Sequence, residues 1–125
     1  MDILLIDDDD HVHQIVESYL DRFGREKKIP VNLKNIHDPV QGIFELCKSM
    51  EPYDVIALDL KMPKMSGNEI FEFLIFEKSH LVNDVLFVTC YSDALEARYP
   101  EQKLHILNKP FRYEAFAEAL DSMTG

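Results

Sequence analysis

The groups in this chain that could do chemistry together are the adjacent acids Asp7 and Asp8, then Asp59, Thr89 and Lys109. Each stands at or just beyond the end of a short apolar run. A lone Asp59 would be read most simply as a strand-ending aspartate that hydrogen-bonds its own loop. Adjacent carboxylates such as Asp7 and Asp8 are harder to account for, because they repel unless a cation shares them. If all three carboxylates converge, an oxygen-rich, cysteine-free donor set points to a hard octahedral cation, Mg²⁺ first and Mn²⁺ as a substitute. Lys109 adds a fixed positive charge and Thr89 a hydroxyl donor. That set suits a tetrahedral anion bonded to Asp59, as phosphoryl transfer to a carboxylate requires.

These residues meet only if the apolar runs are strands of one sheet. Ile3-Leu4-Leu5-Ile6 and Val55-Ile56-Ala57-Leu58 are uniformly apolar and bounded by turn signals, as expected of strands buried on both faces. Val85 to Val88 and Leu104 to Leu107 read as further strands. Val31 to Ile36 alternates apolar and polar residues and reads as a half-exposed edge strand. Between the strands lie helical patterns. Val12, Ile15, Val16, Tyr19, Leu20 and Phe23 form the first stripe, with Gly24 an early stop, and Asp9 and Asp10 favour its N-terminus.

Asp38-Pro39-Val40-Gln41 opens a second helix with apolar Ile43, Phe44, Leu46, Cys47 and Met50, and Pro52 ends it. Cys47 is read as a core residue. Ser66-Gly67-Asn68-Glu69 has capping-box spacing ahead of Ile70, Phe73, Leu74 and Phe76. A short helix from Asp93 must end by Tyr99, before Pro100. The last helix runs from about Phe111 to Met123, with Phe116, Ala119 and Leu120 on its stripe. Five strands alternating with five helices imply an α/β fold, a parallel sheet with helices on both faces. With the polar second strand at an edge, the flavodoxin-like order 2-1-3-4-5 follows, and the carboxyl ends of the strands share one crevice.

The 125 residues fit one domain. Hydrophobic residues are 46% and charged ones 29%, as in ordinary globular proteins. The net charge of −10 would repel phosphate backbones, which argues against direct nucleic-acid binding. No apolar run approaches the roughly 20 residues of a membrane span. The N-terminus lacks the basic region of a signal peptide. Cys47 and Cys90 have no metal-ligand spacing, so a reduced, cytoplasmic chain is expected.

Taken in order, Ile6-Asp7-Asp8-Asp9, Asp59 followed by Met62-Pro63-Lys64-Met65-Ser66-Gly67, Thr89, and Lys109-Pro110-Phe111 give the chain a family likeness. It resembles the receiver domains of two-component response regulators, the chemotaxis regulators among them, from Met1 to the last helix. The resemblance implies a single receiver domain over residues 1–125 with no output domain in this chain. Asp59 would take a phosphoryl group from a phosphohistidine of a histidine kinase or histidine phosphotransfer protein. Asp8 would ligate Mg²⁺ directly, Asp7 through water, and Lys61 through its backbone carbonyl. Thr89 and Lys109 would bind the phosphoryl group, and the Lys109–Pro110 bond would be cis. The module would signal by conformational change to a downstream target or output domain, and homodimers are compatible with this. His11, His13 and Gln14 on the first helix become kinase-docking candidates.

The sequence departs from the family in places. Ile106 stands where members usually carry an aromatic that swings inward with the threonine. Tyr91, two positions after Thr89, is either its substitute or a solvent-facing loop residue. Cys90 replaces the usual Ala or Gly and either narrows access to the phosphoryl site or fills a small core position. The usual Gly-Ala before the fifth strand is missing, which shortens the fourth helix. Lys61 and Tyr91 flank the phosphoryl position and would hinder attacking water. Two other functions compete. A degenerate receiver acting only as a protein-binding scaffold would fit the lost aromatic. A haloacid-dehalogenase-type phosphatase needs a second aspartate two residues after its nucleophile, where Lys61 stands here.

Overall fold

A computed structural model describes residues 1–48 and 53–124. Five parallel strands, β1 (Asp2–Ile6), β2 (Asn32–Ile36), β3 (Val55–Leu58), β4 (Val85–Thr89) and β5 (His105–Asn108), form one sheet in the order β2-β1-β3-β4-β5. The helices are α1 (Asp10–Lys27), α2 (Pro39–Lys48), α3 (Gly67–Glu77), α4 (Ser92–Arg98) and α5 (Tyr113–Thr124). This is the flavodoxin-like three-layer arrangement that the alternation of runs implies.

The uniformly apolar strands are explained by what lies on each side of them. Successive side chains point to opposite faces. Ile3, Leu5, Val55, Ala57, Leu86 and Val88 therefore pack with Val16, Leu20 and Phe23 of α1 and with Phe116 and Leu120 of α5. Leu4, Ile6, Ile56, Leu58 and Phe87 pack on the other face with Leu46, Ile70, Phe71, Leu74 and Leu95. Each fully buried Val, Leu, Ile or Phe side chain contributes roughly 1.5–3 kcal/mol. At the edge, β2 buries Ile36 and leaves Asn32, Lys34 and Asn35 exposed.

The starts of α1, α2 and α3 follow the local chemistry. Helix α4 begins at Ser92 with Asp93 inside its first turn and no side-chain cap. One helix end is an exception to its sequence signal. Asp9 caps α1 by accepting from the His11 N–H at 2.9 Å, Asp38 accepts from Gln41 N–H at 3.2 Å, and Ser66 accepts from Glu69 N–H at 3.3 Å. The exception is Gly24, which does not stop α1. The helix continues to Lys27 and turns at Lys28, whose φ is 58°. Gly24 serves packing instead, since a Cβ there would lie 3.0 Å from Val31 Cγ2.

Helix rotation also differs from the sequence pattern. On α2, Gly42, Glu45 and Leu46 are buried, while Phe44 is 67% exposed and Cys47 is exposed. The reason is the closeness of α2 to β1: a Cβ on Gly42 would lie 2.7 Å from Ile6 Cδ1, so Gly42 marks the contact face. Met50 and Pro52 lie outside the described residues. On α3 the inward aromatic is Phe71, edge-on to Phe87 with ring centroids 4.9 Å apart, while Phe76 is 83% exposed. Ile15 on α1 is also exposed, at 41%. A 3₁₀ turn, Ser79–Asp84, joins α3 to β4 and buries Leu81. Among the described residues, no helix is long and apolar enough to cross a membrane.

Candidate functional site

Strand register brings the reactive side chains together. Ile6 pairs with Leu58, so Asp7 and Asp59 leave the sheet side by side. Thr89 pairs with Asn108, so Lys109 emerges one residue beyond the end of β4. Carboxylate oxygens of Asp7, Asp8 and Asp59 lie within 4.8 Å of one another. Asp7 is fully buried and Asp59 is 7% exposed, whereas Asp8 faces solvent. Lys109 Nζ reaches Asp7 Oδ2 at 3.0 Å and Asp59 Oδ1 at 3.3 Å. The Lys109–Pro110 peptide is cis, and the Lys109 N–H donates to the Thr89 carbonyl at 2.9 Å.

The loop after Asp59 closes tightly on it. Gly67 N–H donates to the Leu60 carbonyl at 2.9 Å. A Cβ on Gly67 would fall 2.2 Å from the Asp59 carbonyl oxygen, so no side chain fits there. Lys64 in this loop has φ 72°.

Three carboxylates face one ammonium, and the charge balance shows at Asp59 and Lys109. Burial, then the charge of Asp7, push the Asp59 carboxyl up to about 6, against the partial relief of Lys109. Burial alone would lower the Lys109 ammonium, but its bonds and attraction to Asp7 and Asp59 outweigh that and raise it. An all-oxygen donor set carrying excess negative charge fits a hard divalent cation such as Mg²⁺. Asp7 and Asp8 from the β1 end, with Asp59, are the residues that would hold it.

The mouth of the site is lined by Lys61, Cys90, Tyr91 and Lys109, among others. Thr89 is fully buried, and its Oγ1 accepts from the Tyr91 N–H at 2.9 Å, which leaves its O–H to donate. Lys61 Nζ sits 4.6 Å from the centre of the Tyr91 ring, a cation–π pair beside Asp59. Cys90 is exposed at the opening and is not a core residue. Ile106 is half-buried on β5 opposite Phe87 and packs against the α3 side of the core.

Of the three docking candidates on α1, His11 and Gln14 are exposed and His13 is not. His13 is 5% exposed, with Nε2 2.7 Å from the Asp7 carbonyl oxygen and Nδ1 2.6 Å from Asn35 Oδ1. Its burial was readable in principle, since position 13 falls on the stripe of Val12, Val16, Leu20 and Phe23. Its partners on β1 and β2 were not.

A family model described as response regulator receiver domain matches residues 3–121. Among solved structures, the bacteriophytochrome response regulator RtBRR superposes with a TM-score of 0.82 at 22% identity, covering 99% of this chain and 78% of that one. The chemotaxis protein CheY4 of Vibrio cholerae gives a TM-score of 0.76 at 22% identity, covering 98% of this chain and 97% of that one. The receiver domain of a sensor histidine kinase from Pseudomonas aeruginosa PAO1 was solved with a magnesium ion coordinated in its active-site cleft. It gives a TM-score of 0.76 at 19% identity, with 98% and 95% coverage. No curated protein sequence matches the chain significantly.

Proposed function

The chain belongs to the family of response regulator receiver domains of two-component signalling, and on that premise we propose that Asp59 is its phosphoacceptor. The observation that carries the proposal is one buried acid at a strand end, within reach of Asp7, Asp8 and Lys109. An Asp59 carboxylate oxygen attacks the phosphorus of a phosphohistidine on a histidine kinase or phosphotransfer protein. The new P–O bond forms as the P–N bond breaks, and the imidazole leaves. The Lys109 ammonium, shared between Asp7 and Asp59 before the reaction, pairs with the incoming phosphoryl oxygens, and the Thr89 O–H donates to another. Asp7, Asp8 and Asp59, with the Lys61 carbonyl, would hold Mg²⁺ or Mn²⁺. When bound, that cation offsets the negative charge of the carboxylates and of the transferring group.

Binding of the phosphoryl group draws Thr89 and Lys109 toward Asp59 and is the source of the signal passed to a downstream target or output domain. The half-buried Ile106 replaces the aromatic part of that response with an aliphatic one. The Lys61–Tyr91 pair shields the acyl phosphate from attacking water, which lengthens the phosphorylated state. The exposed His11 and Gln14 on α1 are candidate contacts for the phosphodonor. This role is that of a signalling phosphoacceptor and not of a turnover enzyme.

Incubation with Mg²⁺ and acetyl phosphate, followed by intact-protein mass measurement, tests the assignment. One phosphoryl group should add to the wild type and none to Asp59→Asn. An adduct that survives in Asp59→Asn refutes Asp59 as acceptor. Absence of any adduct on the wild type favours the scaffold reading, which Ile106 would fit.

A further inference from the structure

Asp7 is anchored at four points. Its N–H donates to the Ile36 carbonyl at 3.1 Å. Its Oδ1 accepts from Asp9 N–H at 2.9 Å, and its Oδ2 accepts from Lys109 at 3.0 Å. Its carbonyl oxygen accepts from His13 Nε2 at 2.7 Å. The last bond has a special consequence, because that carbonyl and the Asp8 N–H belong to one rigid peptide plane. Turning the plane changes ψ of Asp7 and φ of Asp8, and so re-aims the exposed Asp8 carboxylate.

His13 is itself held in place. A carbonyl oxygen only accepts, so Nε2 carries the hydrogen. At the other side of the ring, Nδ1 lies 2.6 Å from the Asn35 side-chain amide. The His37 ring stacks on His13 with centroids 3.9 Å apart and planes 28° apart. His37 Nε2 in turn lies 2.9 Å from Asp10 Oδ1, at the start of the same helix. Filling space beneath α1 would be done as well by leucine, without desolvating an imidazole.

We propose that His13 is a positioning residue: it locks the Asp7–Asp8 peptide plane, with Asn35 and His37 holding the ring, so that the acid pair is aimed before a divalent cation arrives. The inference rests on reading the acid cluster as a cation site. Ordered hydrogen-bond partners behind metal ligands are worth roughly 10–100-fold in affinity.

The test is Mn²⁺ titration followed by electron paramagnetic resonance, together with NMR hydrogen exchange of the Asp9 amide in metal-free protein. It compares wild type with His13→Leu, His13→Gln and Asn35→Ala. His13→Leu should weaken Mn²⁺ binding about tenfold and speed exchange at Asp9. His13→Gln, whose amide nitrogen reaches the same carbonyl, should recover most of the loss. Asn35→Ala, at an exposed position, should give a smaller loss, and it decides the matter where His13→Leu does not fold. The Mg²⁺ concentration giving half-maximal phosphorylation should rise in step, with the rate at saturating Mg²⁺ retained. The proposal is overturned by unchanged Mn²⁺ affinity in a folded His13→Leu, by equal losses in the Leu and Gln variants, or by a wild type that binds no Mn²⁺. A wild type that binds Mn²⁺ with this dependence on His13 yet accepts no phosphoryl group refutes the phosphoacceptor reading and supports this one.

Discussion

Replacing Asp59 by asparagine should stabilise the metal-free protein at neutral pH. Asp59 is 7% exposed and shares its surroundings with Asp7 and Asp8, so its ionised form is held at a cost. Its carboxyl is pushed from the ordinary 3.8 to about 6. That difference corresponds to about 3 kcal/mol of folding free energy lost at pH 7. The sign follows from proton binding: between pH 4 and pH 6 the folded chain holds this proton more tightly than the unfolded chain. The wild type therefore loses stability as pH rises through that window. Asparagine keeps the shape and an oxygen for Lys109, but buries an amide nitrogen that needs its own partner, so a net gain of about 1–3 kcal/mol is expected.

For a chain of this size the gain raises Tm by roughly 3–5 °C per kcal/mol. Thermal unfolding of both proteins in chelator from pH 4 to pH 8 measures it. The advantage of Asp59→Asn should be below about 1 kcal/mol near pH 4 and reach its plateau above about pH 7. Saturating Mg²⁺ should narrow the gap by stabilising the wild type more. A variant no more stable than wild type at pH 7.5, or an advantage independent of pH, would show that repulsion at Asp59 is not what the fold is carrying.

Five further substitutions separate features of the site and its scaffold. Lys61→Ala and Tyr91→Ala should each speed loss of the phosphoryl group severalfold, measured by decay of the adduct after donor removal; wild-type decay in both removes any shielding role. Gly67→Ala should cost about 3 kcal/mol or more in urea unfolding, because backbone at the Asp59 carbonyl must move to admit a Cβ 2.2 Å away. Phe71→Ala should cost about 3–5 kcal/mol, whereas Phe76→Ala, at a position 83% exposed, should stay within about 0.5 kcal/mol; similar costs would mean the rotation of α3 is misassigned.

The order of the elements and the residues at their ends are legible in the sequence alone. Apolar runs four residues long, Ser66 three residues before Glu69, and Asp38 before Pro39 are local signals, and local chemistry reads them. It also placed Asp7, Asp8, Asp59, Thr89 and Lys109 at strand ends, because a parallel sheet puts all its carboxyl ends on one edge. Their distances and energies were not in it. The bond from Lys109 to Asp7 spans 102 positions, and burial of Asp59 among other acids is a property of the closed crevice. Helix rotation escaped as well. Phe44, Cys47 and Phe76 satisfy a 3.6-residue pattern yet face outward, because Gly42 sets how α2 meets β1 and Phe71 takes the place against Phe87. His13 falls on the apolar stripe of α1, but only packing that helix over the end of β1 beside β2 turns its ring onto the carbonyl of Asp7.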